Sequence, residues 1–390
     1  MRPAEEFPRH HIPAPAYIVD IRRIKENMRK AERIKRESGA RMLLATKAFS
    51  LTAAFPYMID ALDGTTASGA YEARLGKTYF GKEVHCYSPA YAEADVPAIL
   101  EYADHLYFNS VSQLLRFGDM AKRIKPSVKL ALRVNAGLSQ AKNPLYDPSS
   151  PGCRFGARQA DVTPEMLAKL DALHFHNLCE NMAEDGVALM RHISATFAKE
   201  LECVSEVNFG GGHFYSHENF NADIFIEELR HFQQQHNVQA ILEPGAAHVL
   251  NSGYLSATVL DIVDNAGVRT AMLNVSASAH MPDVLEVPYT PPLVGAEMVD
   301  EADAPFTEYD YLLGGNTCMS GDVIGRYRFH EPLKIGQTLL FGDLMQYAAV
   351  KYNYFNGVPL PSLVLWEGGD DFRVVRNFSY DDYARHIGAQ

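Results

Sequence analysis

Four short segments carry residues whose types and spacing can do chemistry. Lys47 stands alone after the apolar run RMLLA, in Thr46-Lys47-Ala48-Phe49. Apolar surroundings destabilise an ammonium, so more of such a lysine is the neutral amine that condenses with a carbonyl. A plain surface lysine at a strand end is the competing reading. Leu173-His174-Phe175-His176 sets two imidazoles at period-two spacing, on one side of an extended segment. One of them can lie flat on an aromatic ring, or both can be core residues. His213 and His217 follow, but no HExxH or comparable spacing accompanies them, so no metal is expected. Gly210-Gly211-Gly212 lets the backbone wrap tightly and aim N–H groups at one point, which suits a phosphate and equally suits a flexible turn. Glu243, in Glu243-Pro244-Gly245, is a carboxylate leaving the apolar run Ala240-Ile241-Leu242. Burying it costs free energy unless a cation pairs with it, either a protonated ring nitrogen or a structural Lys or Arg.

Each segment alone is weak. Together they supply an amine, a stacking imidazole, a phosphate cradle and a carboxylate, which are the requirements of pyridoxal phosphate. A carboxylate that keeps the pyridine nitrogen protonated strengthens the ring as an electron sink. That favours loss of CO₂ over simple racemisation.

The elements that must position these groups follow from periodicity. After an entering strand at Ala16–Val19, eight strand candidates alternate with amphipathic stretches: Arg41–Ala45, Gly64–Ala67, Glu83–Tyr87, His105–Phe108, Lys129–Val134, Leu173–His176, Val204–Phe209 and Ala240–Glu243. Eight βα units predict a (β/α)8 TIM-type barrel, whose catalytic groups project from the C-terminal ends of the strands. All four segments sit at such ends. Helices are expected at Ile21–Ser38, with Gly39 ending it, and at Gly186–Leu201, whose apolar stripe reads as core packing. Beyond residue 250 the pattern becomes short alternating runs, at Tyr254–Val263, Arg269–Val275, Gln337–Phe341 and Ser362–Trp366, which predicts a C-terminal antiparallel β domain. The expected division is a barrel over 16–250 and a sandwich or barrel of β structure over 251–390 with residues 1–15. The acidic stretch 294–305 reads as a solvated loop.

Composition narrows the partners. The 390 residues include 36 Lys+Arg against 48 Asp+Glu, a net charge of -12 that repels nucleic acid and favours a small cationic ligand. No segment approaches the roughly 18 apolar residues of a membrane span, and the N-terminus has no signal-peptide core, so a cytoplasmic protein is expected. Five irregularly spaced cysteines argue against disulfide or zinc frameworks.

The motifs LLATKAF, LHFHNLCE, FGGGHF, LEPG, HMPDVLEVPY, GGNTCMSGDVIG and KYNYFNGV, spread over nearly the whole chain, resemble the fold type III pyridoxal-phosphate decarboxylases. That family has the alanine-racemase fold and includes ornithine, arginine and diaminopimelate decarboxylases. The resemblance implies that Lys47 holds the cofactor, His176 stacks on its ring, Gly210, Gly211 and Gly212 hold its phosphate, Glu243 bonds its ring nitrogen and Gly245 is also cofactor-binding. It places Arg133, Ser68 and Tyr347 near the cofactor. It implies a homodimer in which Cys318 reaches the partner's site as proton donor, and it sets Asp283 and Asp322 against the distal amines of the substrate. Ala246 stands where ornithine and diaminopimelate decarboxylases usually carry an arginine. Cys318-Met319-Ser320 replaces the Cys-Glu-Ser run of the diaminopimelate enzymes. Both departures point away from a second carboxylate and toward a carboxylated polyamine. A diaminopimelate, ornithine or lysine type of decarboxylase is the nearest rival. A non-enzymatic cofactor-binding barrel is another, though such proteins are generally single small barrels without a second domain.

Overall fold

The structure is a computed structural model that describes residues 12–141, 147–150, 152–299 and 305–389. Its strands are β1 (Ala16–Asp20), β2 (Arg41–Ala45), β3 (Gly64–Ala67), β4 (Glu83–Tyr87), β5 (His105–Phe108), β6 (Lys129–Arg133), β7 (Ala172–His174), β8 (Glu206–Asn208), β9 (Gln239–Leu242), β10 (Gly253–Asn265), β11 (Val268–Leu273), β12 (Ala296–Met298), β13 (Asp310–Gly314), β14 (Val323–Phe329), β15 (Thr338–Gly342), β16 (Ser362–Trp366) and β17 (Phe372–Arg376). Strands β2 to β9 form a closed barrel of parallel neighbours, with β9 returning to β2 through Arg41 opposite Ile241. The eight candidate strands of the sequence are these eight.

Inward positions recur every second residue and come in layers from alternate strands. The first layer is charged: Arg41 on β2 pairs with Glu83 on β4 and Glu206 on β8, and Lys129 on β6 also pairs with Glu206. Higher up, Tyr107, Ala131 and Ala172 pack as a buried cluster. Outside, the helix Ile21–Ser38 buries Ile24, Met28, Ala31 and Ile34, and Gly39, at φ +80°, ends it in the left-handed region where a side chain is strained. The second expected helix starts earlier and is interrupted. It runs Ala183–Thr196, breaks at Phe197 (φ -113°, ψ 23°) and resumes as Ala198–Leu201. Asp185 moves the start, because its carboxylate accepts from Asn181 Nδ2 and Met182 N, while the Phe197 ring turns in against Phe175 at 5.0 Å.

The second unit is a sheet ordered β12-β14-β13-β11-β10-β1-β16-β17, with β15 also on β10. The expected antiparallel β domain is present, most of its pairs being antiparallel, with β1 on β16 and β11 on β13 added in parallel. The boundary moves as well: the compact units are Lys25–His248 on one side, and the chain up to Ile24 with Val249 onward on the other. The entering strand β1 therefore belongs to the sheet. Every one of its residues is buried, and Ala16 and Ile18 join Tyr254, Leu340, Val364 and Trp366 in a core that only neighbours on both edges can provide. Part of the acidic stretch 294–305 is strand, as Ala296–Met298 pairs with Tyr327–Phe329, while 300–304 lie outside the described residues. All five cysteines are free, and no helix among the described residues is long and apolar enough to cross a membrane.

Candidate active site

In the barrel unit the chemistry-bearing residues emerge at the C-terminal ends of β2, β6, β7, β8 and β9. Lys47, two residues past β2, remains accessible. Crowding by protein atoms depresses its ammonium, and the charge of Arg133 works the same way, while the Glu243 and Glu72 carboxylates oppose them. Water that reaches the side chain limits the depression, but its direction favours the free amine.

Glu243 is buried behind β9. Burial pushes its carboxyl up, yet the His85 hydrogen bond, at 2.8 Å to Oε1, and the nearby His174 and Asn208 outweigh this and hold it below the ordinary carboxylate range. It is an ionised group at neutral pH. His174 and His176 both point to the interior, their rings edge to face at 5.9 Å. Burial first, then surrounding positive charge, lowers His174 to about 3 and His176 well below its usual value, so both are neutral. His176 Nδ1 accepts from Gly211 N at 3.3 Å, and its carbonyl accepts from Arg133 Nη2 at 3.1 Å. Arg133 donates also to Tyr87 Oη at 2.9 Å.

The glycine triplet is required by packing. A Cβ on Gly210 would lie 2.5 Å from His176 Nδ1, one on Gly211 2.8 Å from the Glu243 carbonyl oxygen, and one on Gly212 2.0 Å from the Leu178 carbonyl oxygen. Gly210 and Gly212 also take φ of +65° and +84°. The expectation of several N–H groups aimed at one ligand is corrected in detail. Gly210 N donates to Asn208 Oδ1 and Gly211 N to His176 Nδ1, leaving Gly212 N without an acceptor among the described residues. Gly245 allows the close approach of Ala48, which a Cβ would meet at 2.5 Å. Ser68 is exposed at the end of β3, its N–H bonded to Glu72.

These residues suit pyridoxal phosphate. A wall of glycines that a Cβ would fill, a buried imidazole, His174, with both nitrogens unpartnered, an amine with a lowered proton affinity and an ionised buried carboxylate match an aromatic, anionic aldehyde with a basic ring nitrogen. Glu72 escaped the sequence reading. It accepts from Ser68 N at 2.7 Å and from Thr46 Oγ1 at 2.9 Å, bracketing Lys47, and its only signal is an acidic residue one helical turn past the Ala-Ser turn. His85, His105, Glu83 and Glu206 were also passed over. Polar residues at alternate positions of otherwise apolar strands are the mark they left in the sequence.

In the sheet unit, Cys318 is exposed, its N–H held by Asn356 Oδ1 at 2.7 Å. Asp322 is buried, and its carboxylate is already filled: Ala277 N, Ser278 N, Thr317 N and Thr317 Oγ1 donate at 2.7, 3.3, 3.3 and 2.6 Å. Its lone pairs hold the turn that carries Cys318. Asp283 is partly buried and pairs with Lys351, which also binds Glu286. Tyr347, at φ +56°, lines a small cavity with Met281, Asp283 and Tyr289. Among the described residues, the one group of donors close enough for a metal ion is Glu83, His85 and His105; the His174, His176, His213 and His217 set does not assemble.

Residues 16–344 match the family model of the pyridoxal-dependent decarboxylase, C-terminal sheet domain. The chain is similar to the carboxynorspermidine/carboxyspermidine decarboxylase of Campylobacter jejuni, with 37% identity over 96% of this chain and 98% of the relative. It is also similar to the carboxyaminopropylagmatine decarboxylase of Synechocystis, with 35% identity over 97% of this chain and 96% of the relative. The crystal structure of carboxynorspermidine decarboxylase complexed with norspermidine, from Campylobacter jejuni, superposes with a TM-score of 0.87 at 35% identity, over 96% of this chain and all of that one.

Proposed function

The chain belongs to the pyridoxal-dependent decarboxylases of the ornithine, diaminopimelate and arginine group, and from that premise we propose that it removes CO₂ from carboxynorspermidine or carboxyspermidine to give norspermidine or spermidine. The observation that carries the reading is the pairing, at one end of one barrel, of a lysine pushed toward its neutral amine with a buried carboxylate kept ionised.

Bound pyridoxal phosphate supplies a carbonyl for the substrate's α-amine and a ring that takes up the electron pair released as CO₂ leaves. Lys47 is the amine that would hold the cofactor. Glu243 keeps the ring nitrogen protonated by pairing with it, and His176, neutral through burial, packs against the ring without competing for that charge. Gly212, with Gly210, Gly211 and Gly245 giving room, takes the phosphate, supported by Ser68 and by Tyr347. Arg133 adds positive charge at the same barrel end. Cys318 delivers the proton to the decarboxylated carbon of the partner's site in a homodimer. Asp283 and Asp322 face the distal amines, Asp322 also holding the turn on which Cys318 stands.

A second reading has support of its own: the Synechocystis enzyme, named for carboxyaminopropylagmatine, is 35% identical, against 37% for the Campylobacter jejuni enzyme. A substrate panel separates them. CO₂ release is measured from carboxynorspermidine, carboxyspermidine, carboxyaminopropylagmatine, diaminopimelate and ornithine, and the highest kcat/KM is expected with one of the first two. The highest value with carboxyaminopropylagmatine supports the second reading; with diaminopimelate or ornithine it overturns both. Release from none overturns the decarboxylase.

A further inference from the structure

The glycine triplet and Glu243 follow neighbouring barrel strands, β8 and β9, and one buried side chain ties them together. Gly210 commits both of its backbone groups to this junction. Its N–H donates to Asn208 Oδ1 at 2.7 Å, and its carbonyl accepts from Glu243 N at 2.8 Å. Asn208, the last residue of β8, is fully buried. Its Nδ2 donates to Tyr107 Oη at 3.0 Å, and its amide also hydrogen-bonds the Glu243 carboxylate. The Asn208 backbone is held as well, its carbonyl accepting from Phe175 N, just past β7, at 2.7 Å.

Gly210 N can only donate, so the amide oxygen of Asn208 faces it and the amide nitrogen faces Tyr107 and Glu243. A side-chain oxygen that accepts from the N–H two residues on makes an Asx turn, and this one holds Gly210 in the left-handed region at φ +65°. Asparagine meets both demands at once. Leucine at this position would leave Gly210 N buried without an acceptor and would take a donor from Glu243. Aspartate would still accept from Gly210 N but would set a second carboxylate against Glu243.

We propose that Asn208 is a positioning residue that fixes the spacing between the glycine cradle and Glu243, and so shapes this end of the barrel for one rigid ligand that engages both. The inference rests on the cofactor reading above. Pyridoxal phosphate carries its phosphate and its ring nitrogen on a single flat ring, so the distance between the two groups is set by the ligand. A site whose two ends already stand at that spacing binds it without first reorganising. Asn208 spends its oxygen on Gly210 and its nitrogen on Tyr107 and Glu243, so it acts through them. Burying an amide this deeply costs free energy that its hydrogen bonds offset, and each of those bonds ends on a group assigned to one end of the cofactor or on the Tyr107 hydroxyl beside it.

The test titrates the full-length protein, freed of cofactor, with pyridoxal phosphate and records phosphorus NMR of the bound form, in the parent and in Asn208→Asp and Asn208→Leu. Asn208→Asp keeps the acceptor for Gly210 N. Its bound phosphorus signal should stay where the parent has it, while Kd rises on the order of tenfold through the Glu243 end. Asn208→Leu loses both ends, so Kd should rise further and the phosphorus signal should move toward that of the free cofactor. A residue that only fills the core would lower the unfolding midpoint and leave Kd and the phosphorus signal of the folded protein unchanged; that result overturns the proposal. An equal displacement of the signal in both variants overturns it too. If Asn208→Leu does not fold, Asn208→Asp decides alone: a weaker Kd with an unmoved signal upholds the assignment, and an unchanged Kd or a moved signal refutes it. An unaltered protein that binds no pyridoxal phosphate defeats the cofactor reading and this inference with it, whereas parental binding that both variants match removes only the role of Asn208.

Discussion

Replacing Glu206 by Gln should destabilise the barrel in a pH-dependent way. Glu206 accepts from His105, Arg41 and Lys129 in the charged layer that closes the barrel. Burial pushes its carboxyl up, but the hydrogen bonds from His105 and Lys129 and the charge of Arg41 bring it from 4.5 down to about 2. That fall corresponds to about 3.4 kcal/mol of linkage free energy. Lys129 is 41% exposed, so solvent screening reduces the expected loss to about 2–3 kcal/mol. A depressed carboxylate contributes stability that is present above its unfolded-state pKa and is lost as pH falls through its folded one. The gap between parent and Glu206→Gln should therefore be full at neutral pH and close between about pH 4.5 and about pH 2. In urea, a slope of about 3 kcal/mol per molar turns the loss into a midpoint shift of about 1 M at neutral pH. Equal midpoints at neutral pH, or a gap that stays constant through the acid window, would refute the reasoning.

Gly212→Ala places a Cβ 2.0 Å from the Leu178 carbonyl oxygen at φ +84°. The left-handed conformation and the backbone collision together should cost roughly 2–5 kcal/mol, read as a Tm fall of roughly 5–15 °C. Asp322→Asn turns an acceptor-only group into one that must also place two N–H donors among four donors. A loss of about 1–3 kcal/mol in the sheet unit and faster alkylation of Cys318 on its loosened turn are expected. Cys318→Ala should leave the cofactor's absorbance intact while the decarboxylated carbon is protonated incorrectly, which product analysis by mass spectrometry reads directly; loss of bound cofactor would contradict the assigned role.

Much of the barrel was legible because each βα unit is a local pattern. RMLLA before Lys47 and AIL before Glu243 announce a buried strand and the group it delivers without reference to the rest of the chain. What escaped depends on distant partners. β1 reads as an apolar strand in either unit, and only its pairing with β10 and β16 decides which. The parallel pairing of β11 with β13 is likewise a matter of register across some forty residues, which alternation alone does not encode. Asp322 also takes donors from Ala277 and Ser278, some forty-five residues back in the chain, which no local pattern announces. His85 and His105 stand at inward positions of β4 and β5, but their meaning lies in Glu243 and Glu206, more than a hundred residues away.

On the proposed function, Lys47 anchors pyridoxal phosphate at the C-terminal ends of the barrel strands. Borohydride reduction of the purified protein, followed by peptide mapping, tests it most directly. The expected result is a yellow protein whose visible band is lost on reduction and a single phosphopyridoxyl group on the peptide containing Lys47, with no label in Lys47→Ala. A label on another lysine, or a colourless protein that still releases CO₂, would contradict it.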